Sequence, residues 1–276
     1  MSQADLIFIE MCKDILENGF SDEGFEVRPR WPDGTPAHTI KKSCVVNRYD
    51  LSAEFPILTL RPTNLKNAVD ELLWIWQKKS NNIKDLNSHI WDAWADENGS
   101  IGKAYGYQLG IRHRYKEGEF DQVDRVLFDL KRNPYSRRII TNMYNHADLI
   151  DMNLYPCAYS VTFNVSGRKL NAILNQRSQD VLVANNWNVV QYAVLVHMFA
   201  QVSGLEVGEL VHVIADAHIY DRHIPLVKEL ISREPHPAPE FIMNSDIKDF
   251  YAFEVSDFSL ENYIAGPQIR NIPVAV

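Results

Sequence analysis

The sequence predicts an α+β fold, in which a large mixed or antiparallel β-sheet packs against helices. Strand-like and helix-like segments are both present, but they do not alternate in the regular order of a parallel βαβ sheet. One long helical segment is apolar on almost every side, which is typical of a helix buried at the centre of a domain. The 276 residues contain no long linker rich in Pro, Gly or Ser. We therefore expect a single domain over residues 1–276.

Amphipathic segments predict three helices in the first half of the chain. The first covers residues 3–18 and ends at an Asn-Gly pair. The second begins near Asn64 and covers residues 65–79, because apolar residues recur there at the three- and four-residue spacing of a buried stripe. The third covers residues 119–133 and ends where a proline interrupts the pattern.

Four strands are expected in the second half of the chain. They cover residues 137–144, 157–166, 169–178 and 208–220. Gly167 lies in a short turn between the second and the third strand, which indicates a β-hairpin. The apolar helix covers residues 188–203, and Gly204 is positioned to end it. Asn186 and Asn188 could cap its first turn, because asparagine is a preferred N-cap residue.

The composition excludes several classes of protein. A formal net charge of −8 argues against nucleic acid as the main partner, although local arginines can still form a site for a small anion. No apolar run reaches the roughly 18 residues of a membrane-spanning helix, and the N-terminus lacks the basic start of a signal peptide. We therefore expect a cytoplasmic protein with no membrane partner.

The three cysteines, Cys12, Cys44 and Cys157, are widely spaced and include no CxxC pair. They support neither a disulfide framework nor a zinc site, and we expect no metal. Cys157 follows Pro156 at the entrance of a predicted strand. A free cysteine in an apolar sequence is more often a small core residue than a nucleophile. From the residues alone, both interpretations of Cys157 remain open.

A polar cluster follows the third predicted strand. Arg177 could lower the pKa of a nearby thiol and bind a phosphate, and Ser178 adds a hydroxyl donor. Asp180 lies on the same side as Ser178 if the two-residue period of the strand continues. Arg137 and Arg138, earlier in the chain, could together form a bidentate phosphate clamp. The alternative for each of these groups is an ordinary solvated surface.

Recognition of a base and of a sugar is indicated at further positions. The amide of Asn188 offers one donor and one acceptor, which matches the O4 and N3–H edge of uracil. The two-residue period places Asp216, His218 and Tyr220 on one face of the last strand, where they could bind hydroxyl groups. Glu71 could be a buried acid with a raised pKa that suits proton transfer, or an exposed helical residue.

The order of these motifs resembles that of the folate-dependent thymidylate synthase family. The segments that carry the resemblance are DELLWIW, HIWDAW, AYGYQ, SRRI, YPCAYS, NQRSQD, NNWNVVQYA, ADAHIYDRH and the terminal PVAV. The resemblance extends from Arg28 to Val276. It implies the thymidylate synthase fold and a methyltransferase that converts dUMP to dTMP. The one-carbon donor would be 5,10-methylenetetrahydrofolate, which leaves as dihydrofolate.

The family pattern implies a role for each matching position. Cys157 matches the nucleophile, and the other catalytic positions are Glu71, Tyr105, Asp180 and Asn188. The positions that match substrate-binding residues are Arg28, Arg137, Arg138, Arg177, Ser178, Asp180, Asn188, His218 and Tyr220. The positions on the folate side are Trp91, Trp94, Asp180, Ala184, Val274 and Ala275. Arg137 and Arg138 match arginines that reach the phosphate of the other subunit in a homodimer.

The chemistry that the resemblance implies is covalent catalysis. Addition of the Cys157 thiolate to C6 of uracil makes C5 an enolate carbon, which can attack the one-carbon unit of the folate. Arginines at the phosphate would supply binding energy remote from the reacting carbon and would favour the thiolate. Closure of the C-terminal segment would exclude water, which otherwise converts the product to a hydroxymethyl group.

The sequence departs from the family pattern on the folate side. The family usually has Leu-Gly-x-Pro-Phe where this chain has Val183-Ala184-Asn185-Asn186-Trp187, and Ala215 stands where glycine is common. An added methyl group beside the folate could shift it. Two alternatives therefore stay open: a dUMP or dCMP 5-hydroxymethylase that uses the same adduct, and a non-catalytic nucleotide- or RNA-binding homologue. Asn188 favours uracil over cytosine.

Overall fold

The computed structural model describes residues 1–275, and Val276 lies outside the described residues. The α-helices are α1 (Gln3–Asn18), α2 (Leu65–Trp76), α3 (Gly106–Gly110), α4 (Gln122–Arg132), α5 (Asn185–Ser203) and α6 (Ile224–Leu230). Short 3-10 helices cover Ile83–Asp85, Asp92–Trp94, His146–Asp151, Asp221–His223, Phe250–Ala252 and Val255–Asp257.

The strands form one large sheet and two small hairpins. They are β1 (Phe20–Ser21), β2 (Thr39–Asp50), β3 (His113–Tyr115), β4 (Gly118–Phe120), β5 (Ile140–Asn142), β6 (Ala158–Ser166), β7 (Lys169–Gln176), β8 (Gln179–Asp180), β9 (Glu206–Tyr220), β10 (Glu240–Met243) and β11 (Phe258–Glu261). The large sheet has the order β1-β2-β9-β7-β6-β5, with β8 beside β9. Strands β7 and β8 run parallel to β9, and the other neighbours are antiparallel. The sheet is therefore mixed, and the predicted α+β class is confirmed.

Helix α5 lies at the centre of the packing, as its apolar sequence predicts. It connects β8 to β9, which is the helical crossover that neighbouring parallel strands require. Fourteen of its nineteen residues are buried, and it packs against both the sheet and α2. Gly204 ends the helix in the left-handed conformation (φ 68°), which glycine adopts without strain.

The boundaries of several elements differ from the predicted ones. Asn64 caps α2 as expected, because its side chain accepts a hydrogen bond from the N–H of Asn67 at 3.1 Å. The helix nevertheless ends at Trp76 rather than at residue 79. The observed strand β5 is shorter than the strand expected over residues 137–144, because the turns after α4 continue through Arg137 and Arg138.

Asn186 does not cap α5, contrary to the prediction. The helix starts earlier, with Ala184 at the N-cap position and no side-chain cap. The Asn186 amide instead binds the segment that precedes α2. Its Oδ1 accepts hydrogen bonds from the Leu58 N–H (3.1 Å) and the Thr63 hydroxyl (2.8 Å), and its Nδ2 donates to the Pro56 carbonyl (3.1 Å). These bonds satisfy buried backbone groups that no helix or strand satisfies.

Among the helices of the described chain, none combines the length and the apolarity that crossing a bilayer requires.

We expect Asn186→Ala to lower the free energy of unfolding by about 2–4 kcal/mol, because it leaves two buried backbone groups and a hydroxyl without partners. Urea denaturation followed by circular dichroism measures this change. Asn18→Ala is the matched control, since it removes only an exposed hydrogen bond to Asp14 within α1. The control should change stability by less than about 0.5 kcal/mol. Equal effects of the two substitutions would contradict the role of Asn186.

Candidate active site

Cys157 lies directly before β6, where the chain enters the sheet beside β7. Its carbonyl accepts a hydrogen bond from the Arg177 N–H at 2.9 Å. Its own N–H donates to the Tyr105 hydroxyl at 3.0 Å. The half-buried thiol is therefore held from two sides through main-chain contacts. This arrangement gives the sulfur a defined position and still leaves it accessible.

The guanidinium of Arg177 lies beside this thiol. Its Nη2 is 3.6 Å from the sulfur and donates to the Tyr155 carbonyl at 2.7 Å, while Nε donates to the Pro156 carbonyl at 3.0 Å. Burial raises the pKa of Cys157, and the charge of Arg177 and the hydroxyl of Tyr105 lower it only in part. Arg177 thus acts in the direction expected from the sequence, but burial outweighs it in the isolated chain.

Tyr105 has a backbone conformation that is rare for a bulky residue, with φ 45° and ψ −103°. Such strain costs energy and is found most often at functional sites. The conformation places the ring edge-on against Trp91, with 5.2 Å between ring centroids, while the hydroxyl contacts Cys157. Burial raises the pKa of Tyr105 well above its ordinary value, and the phenol therefore stays neutral.

Glu71 on α2 is buried, and the exposed alternative considered from the sequence is wrong. Its Oε1 accepts a hydrogen bond from the Trp91 indole N–H at 2.7 Å. Its Oε2 accepts hydrogen bonds from the Gln191 amide at 2.9 Å and from the Trp187 indole N–H. Burial raises the pKa of Glu71, and the three hydrogen bonds only partly offset this rise. A carboxyl group with a raised pKa suits proton transfer near neutral pH.

Side-chain amides connect Glu71 to Asn188, the position expected to read a base. Asn188 donates to Oε1 of Gln191 at 3.4 Å and accepts from Nε2 of Gln176 at 3.2 Å. Oε1 of Gln176 lies 2.8 Å from Nε2 of His212. Burial lowers the pKa of His212 to about 3, and the neutral ring can therefore donate this hydrogen bond. The network fixes which atom of the Asn188 amide is the acceptor.

Asp216, His218 and Tyr220 lie on one face of β9, as the two-residue period predicts. Nδ1 of His218 is 2.8 Å from the Asp216 carboxylate, and its ring centroid is 5.1 Å from that of Tyr220. Burial, together with the charge of Asp180, raises the pKa of Tyr220 to about 12. The tyrosine hydroxyl therefore keeps its proton and can donate a hydrogen bond to a ligand.

Asp180 lies where the chain leaves the sheet for α5. Its Oδ1 accepts hydrogen bonds from the N–H groups of Leu182 and Val183, both at 3.1 Å. The same oxygen is 3.6 Å from Nδ1 of His223, a distance that fits a charge interaction better than a hydrogen bond. Nε2 of the fully buried His223 is 2.7 Å from the Pro273 carbonyl. His223 therefore connects Asp180 to the C-terminal segment.

The arginines expected at a phosphate occupy two separate places. Arg177 lies at the thiol, and the charge of exposed Arg28 acts on Tyr220 nearby. Ser178 is half-buried directly after Arg177. Arg137 and Arg138 are exposed in the turn before β5, and their guanidinium groups make no ion pair within residues 1–275. The described chain therefore shows no contact of this second pair with the thiol.

Among the positions expected on the folate side, two tryptophans form an aromatic wall and Ala184 lies at the start of α5. Trp91 packs edge-on against Trp94, with 5.7 Å between ring centroids. Ala184 has φ −109° and ψ −18°, a right-handed conformation in which a methyl group causes no backbone strain. Val274 is exposed and Ala275 is half-buried at the end of the described chain.

A family model described as thymidylate synthase matches residues 6–276. The chain belongs to the thymidylate synthase family. It is 47% identical over 274 residues to thymidylate synthases of Bacillus subtilis subsp. natto and of Bacillus phage phi3T, with 98% of each sequence covered. The structure of thermostable thymidylate synthase A from Bacillus subtilis matches with a TM-score of 0.95 and 45% identity, covering 100% of both chains.

The family assignment confirms the thymidylate synthase fold and the methyltransferase activity expected from the motifs. It does not favour the 5-hydroxymethylase alternative. The family uses dUMP as substrate and methylenetetrahydrofolate as co-substrate. Within residues 1–275, no group of three or more His, Cys, Asp or Glu side chains is arranged to hold a metal ion.

Departures from the usual thymidylate synthase pattern have structural explanations at three positions. Ala184 adopts a conformation that does not require glycine. Asn186 makes three hydrogen bonds to the segment before α2, where a proline side chain makes none. Trp187 adds an N–H donor to Glu71, which a phenylalanine lacks. These changes therefore replace one set of local contacts with another.

Several residues of the site have no role in the motif pattern, including Trp187, which the sequence marks only as a departure from that pattern. They are Gln176, Trp187, Gln191, His212 and His223. A signal existed for two of them, since Gln191 lies within an apolar helix and His212 within an apolar strand. A buried polar side chain needs a hydrogen-bond partner, and its presence in an apolar segment therefore indicates a network.

The pKa of His223 predicts a pH-dependent contribution to stability. Burial lowers this pKa, whereas Asp180 and the Pro273 carbonyl raise it. The raising effects are larger, and the pKa of His223 lies above the ordinary value of 6.5. A group whose pKa is raised on folding stabilises the folded chain fully below its unfolded pKa. That stabilisation is lost as the pH rises through the folded pKa.

We therefore expect the stability difference between the unmodified chain and His223→Gln to be largest below about pH 6.5 and to decrease as the pH rises above it, because the folded pKa is the higher one. Urea denaturation at successive pH values measures the difference. His89→Gln is the control, because the side chain of His89 is 90% exposed. A difference that stays constant with pH would contradict a charged His223 in the folded chain.

Proposed function

We propose that the chain methylates dUMP to dTMP through a covalent bond between the Cys157 sulfur and C6 of the pyrimidine. The observation that carries this proposal is the accessible thiol, which lies 3.6 Å from Arg177 and is connected through Tyr105 to the aromatic wall. Addition at C6 makes C5 an enolate carbon that can attack a one-carbon electrophile. The nucleophile and the groups that would position its substrate thus meet at one end of strands β6, β7 and β9.

Arg177, Ser178 and Arg28 would bind the phosphate of dUMP. Nε and Nη2 of Arg177 donate to main-chain carbonyls, whereas Nη1 has no hydrogen-bond partner in the described part of the chain. Nη1 is therefore available to a phosphate oxygen, which forms strong charge-assisted hydrogen bonds with guanidinium. Phosphate binding near Arg177 would supply binding energy at a distance from the reacting carbon.

Asn188 would read the O4 and N3–H edge of uracil, because an amide offers the matching acceptor and donor. Its contacts with Gln176 and Gln191 hold the amide in one orientation. His218 and Tyr220 would bind the 3′-hydroxyl of the deoxyribose. The raised pKa of Tyr220, about 12, keeps its hydroxyl available as a donor.

Glu71 and Tyr105 would serve the proton transfers that accompany bond formation at C5 and loss of the C5 proton. Burial raises the pKa of Glu71, which brings the carboxyl group closer to the range that suits general acid–base catalysis. The neutral hydroxyl of Tyr105 contacts the nucleophile segment directly. The Gln191 amide connects Glu71 to Asn188, which would in turn contact the base.

Methylenetetrahydrofolate would supply the one-carbon unit and the hydride that reduces it. The residues of this chain fit such a ligand, because Trp91 and Trp94 form an apolar wall for a flat ring. Oδ2 of Asp180 has no hydrogen-bond partner within residues 1–275 and can accept an N–H of a pterin. Ala184 lies at the start of α5 on the same segment.

Val274 and Ala275 would close over the folate and exclude water. The bond between His223 and the Pro273 carbonyl supports this placement, because it holds the C-terminal segment near Asp180. Exclusion of water at this step favours a methyl product over a hydroxymethyl product.

We also propose that two copies of the chain associate through the sheet face that lies opposite α5. Where one face of a mostly antiparallel sheet lies in solvent, the side chains on that face are normally polar. The face opposite α5 instead exposes Val46 (49%), Ile140 (55%) and Ile173 (38%). Arg137 and Arg138, in the turn before β5, would then reach the phosphate site of the other copy.

Two broader expectations also stay proposals. The seven strands of the large sheet extend from Phe20 to Tyr220, which supports a single domain over residues 1–276, of which Val276 lies outside the described residues. The three free cysteines support a reducing, cytoplasmic location.

Incubation with dUMP and methylenetetrahydrofolate should yield dTMP and dihydrofolate in equal amounts. Absorbance follows the dihydrofolate, and mass spectrometry identifies the nucleotide. A hydroxymethyl nucleotide with tetrahydrofolate would contradict the proposed outcome. Binding of dUMP without turnover would instead indicate a non-catalytic homologue.

Cys157→Ser should abolish this turnover, because a serine hydroxyl is far less nucleophilic than a thiolate. Its affinity for dUMP should stay within about tenfold, or about 1.4 kcal/mol, since the phosphate and base contacts remain. Cys44→Ser is the matched control, because Cys44 is exposed on β2, and it should keep its turnover. Retained turnover in Cys157→Ser would exclude the covalent mechanism.

The proposed dimer predicts that two inactive variants restore activity when mixed. Cys157→Ser lacks the nucleophile, and Arg138→Ala should bind dUMP poorly because each site takes Arg138 from the other copy. After mixed refolding, a heterodimer holds one site with an intact Cys157 and an intact Arg138. Activity above the sum of the separate variants is expected. Its absence, with dimers present by light scattering, would place Arg138 outside the partner's site.

A further inference from the structure

Helix α5 presents two N–H donors to one oxygen of Glu71. The indole of Trp187 and the amide of Gln191 both donate to Oε2, while Trp91 donates to Oε1 from a different segment. Residues four positions apart lie on the same face of a helix, which explains why Trp187 and Gln191 reach the same atom. Both carboxylate oxygens are thus held by fixed donors.

The position of Trp187 is itself fixed by its neighbours. Asn186 attaches the first turn of α5 to the segment before α2 through three hydrogen bonds. The ring of Trp187 is half-buried and packs against the main core, whereas Glu71 is 6% exposed. The donor and the acceptor therefore lie on two helices whose relative placement is set by packing.

We propose that Trp187 is a positioning residue for Glu71, and that its indole N–H holds Oε2 in the orientation that proton transfer requires. The inference rests on the proposed role of Glu71 in the reaction. Phenylalanine, the usual residue of the family pattern, supplies a ring without a donor. In this chain Oε2 accepts two hydrogen bonds from α5, where a phenylalanine would leave only that of Gln191.

The hydrogen bond from Trp187 lowers the pKa of Glu71. A hydrogen bond donated to a carboxylate stabilises its charged form, and Trp187 therefore opposes the effect of burial. The other titratable groups that face Glu71 are Asp70 on α2, Tyr192 on α5 and Tyr105 before α3. Burial raises the pKa of both tyrosines, which stay neutral, and the charge of Asp70 is the same in the variants compared below.

The test compares the unmodified chain with Trp187→Phe and with Trp76→Phe. Trp76 is a buried tryptophan of α2 that packs edge-on against Tyr192 and Phe199, and it is not among the hydrogen-bond donors to Glu71 in the described structure. The same substitution there removes an indole from the core and leaves the donors to Glu71 in place. Carboxyl carbon NMR of protein labelled in glutamate follows the titration of Glu71, and Glu71→Gln assigns the signal.

Trp187→Phe should raise the titration midpoint of Glu71 by about one pH unit, and Trp76→Phe should leave it unchanged. In turnover, Trp187→Phe should lower kcat by about tenfold and move the limb of the kcat–pH profile that reports Glu71 to higher pH. Its KM for dUMP should change by less than about twofold, because the phosphate contacts remain.

An unchanged midpoint in Trp187→Phe, or an equal shift in Trp76→Phe, would overturn the inference. The NMR titration needs no substrate and therefore tests the contact even if the chain fails to methylate dUMP. If Trp187→Phe shifts the midpoint of Glu71 but leaves the kcat–pH profile unchanged, the hydrogen bond exists but the positioning role is wrong. Absence of turnover in the unmodified chain would reject the proposed function separately.

Discussion

A carboxylate that is buried between two helices must receive hydrogen bonds from its surroundings, and this constraint organises the site. Glu71 takes its donors from α5 and from the segment that contains Trp91. Two of these donors are held by further contacts of their own. Trp91 packs against the ring of Tyr105, and Gln191 accepts a hydrogen bond from Asn188. The burial of one carboxyl group therefore determines the orientation of the residues proposed to contact base and nucleophile.

The nucleophile depends on the same arrangement. Tyr105 packs against Trp91 and contacts the N–H of Cys157, and its strained backbone persists because both contacts hold it. Arg177 approaches the sulfur from the other side, after β7. Burial still raises the pKa of Cys157 in the isolated chain, and further positive charge at the phosphate site would shift it towards the thiolate.

The spacing of apolar residues, together with capping and turn residues, predicted the local elements well. Apolar spacing predicted helices α1, α2 and α5, and Asn64 marked the start of α2. Gly167 marked the turn of the hairpin formed by β6 and β7. The order of the sheet was beyond such reasoning, because it pairs β2 with β9 across most of the chain. The same limit applies to the site. The order of the motifs named Cys157 and its neighbours as candidate residues, whereas the hydrogen-bond partner of Trp187 depends on how two helices cross.

The pairing of Thr39 with Tyr220 has a consequence for how the chain folds. Strand β9 inserts between β2 and β7 only after α5 has been synthesised, and contacts between such distant segments form slowly. Until then, the facing edges of β2 and β7 lack partners and can pair with other chains. Nascent chains of this protein therefore pass through an interval of aggregation risk that ends when β9 closes the sheet.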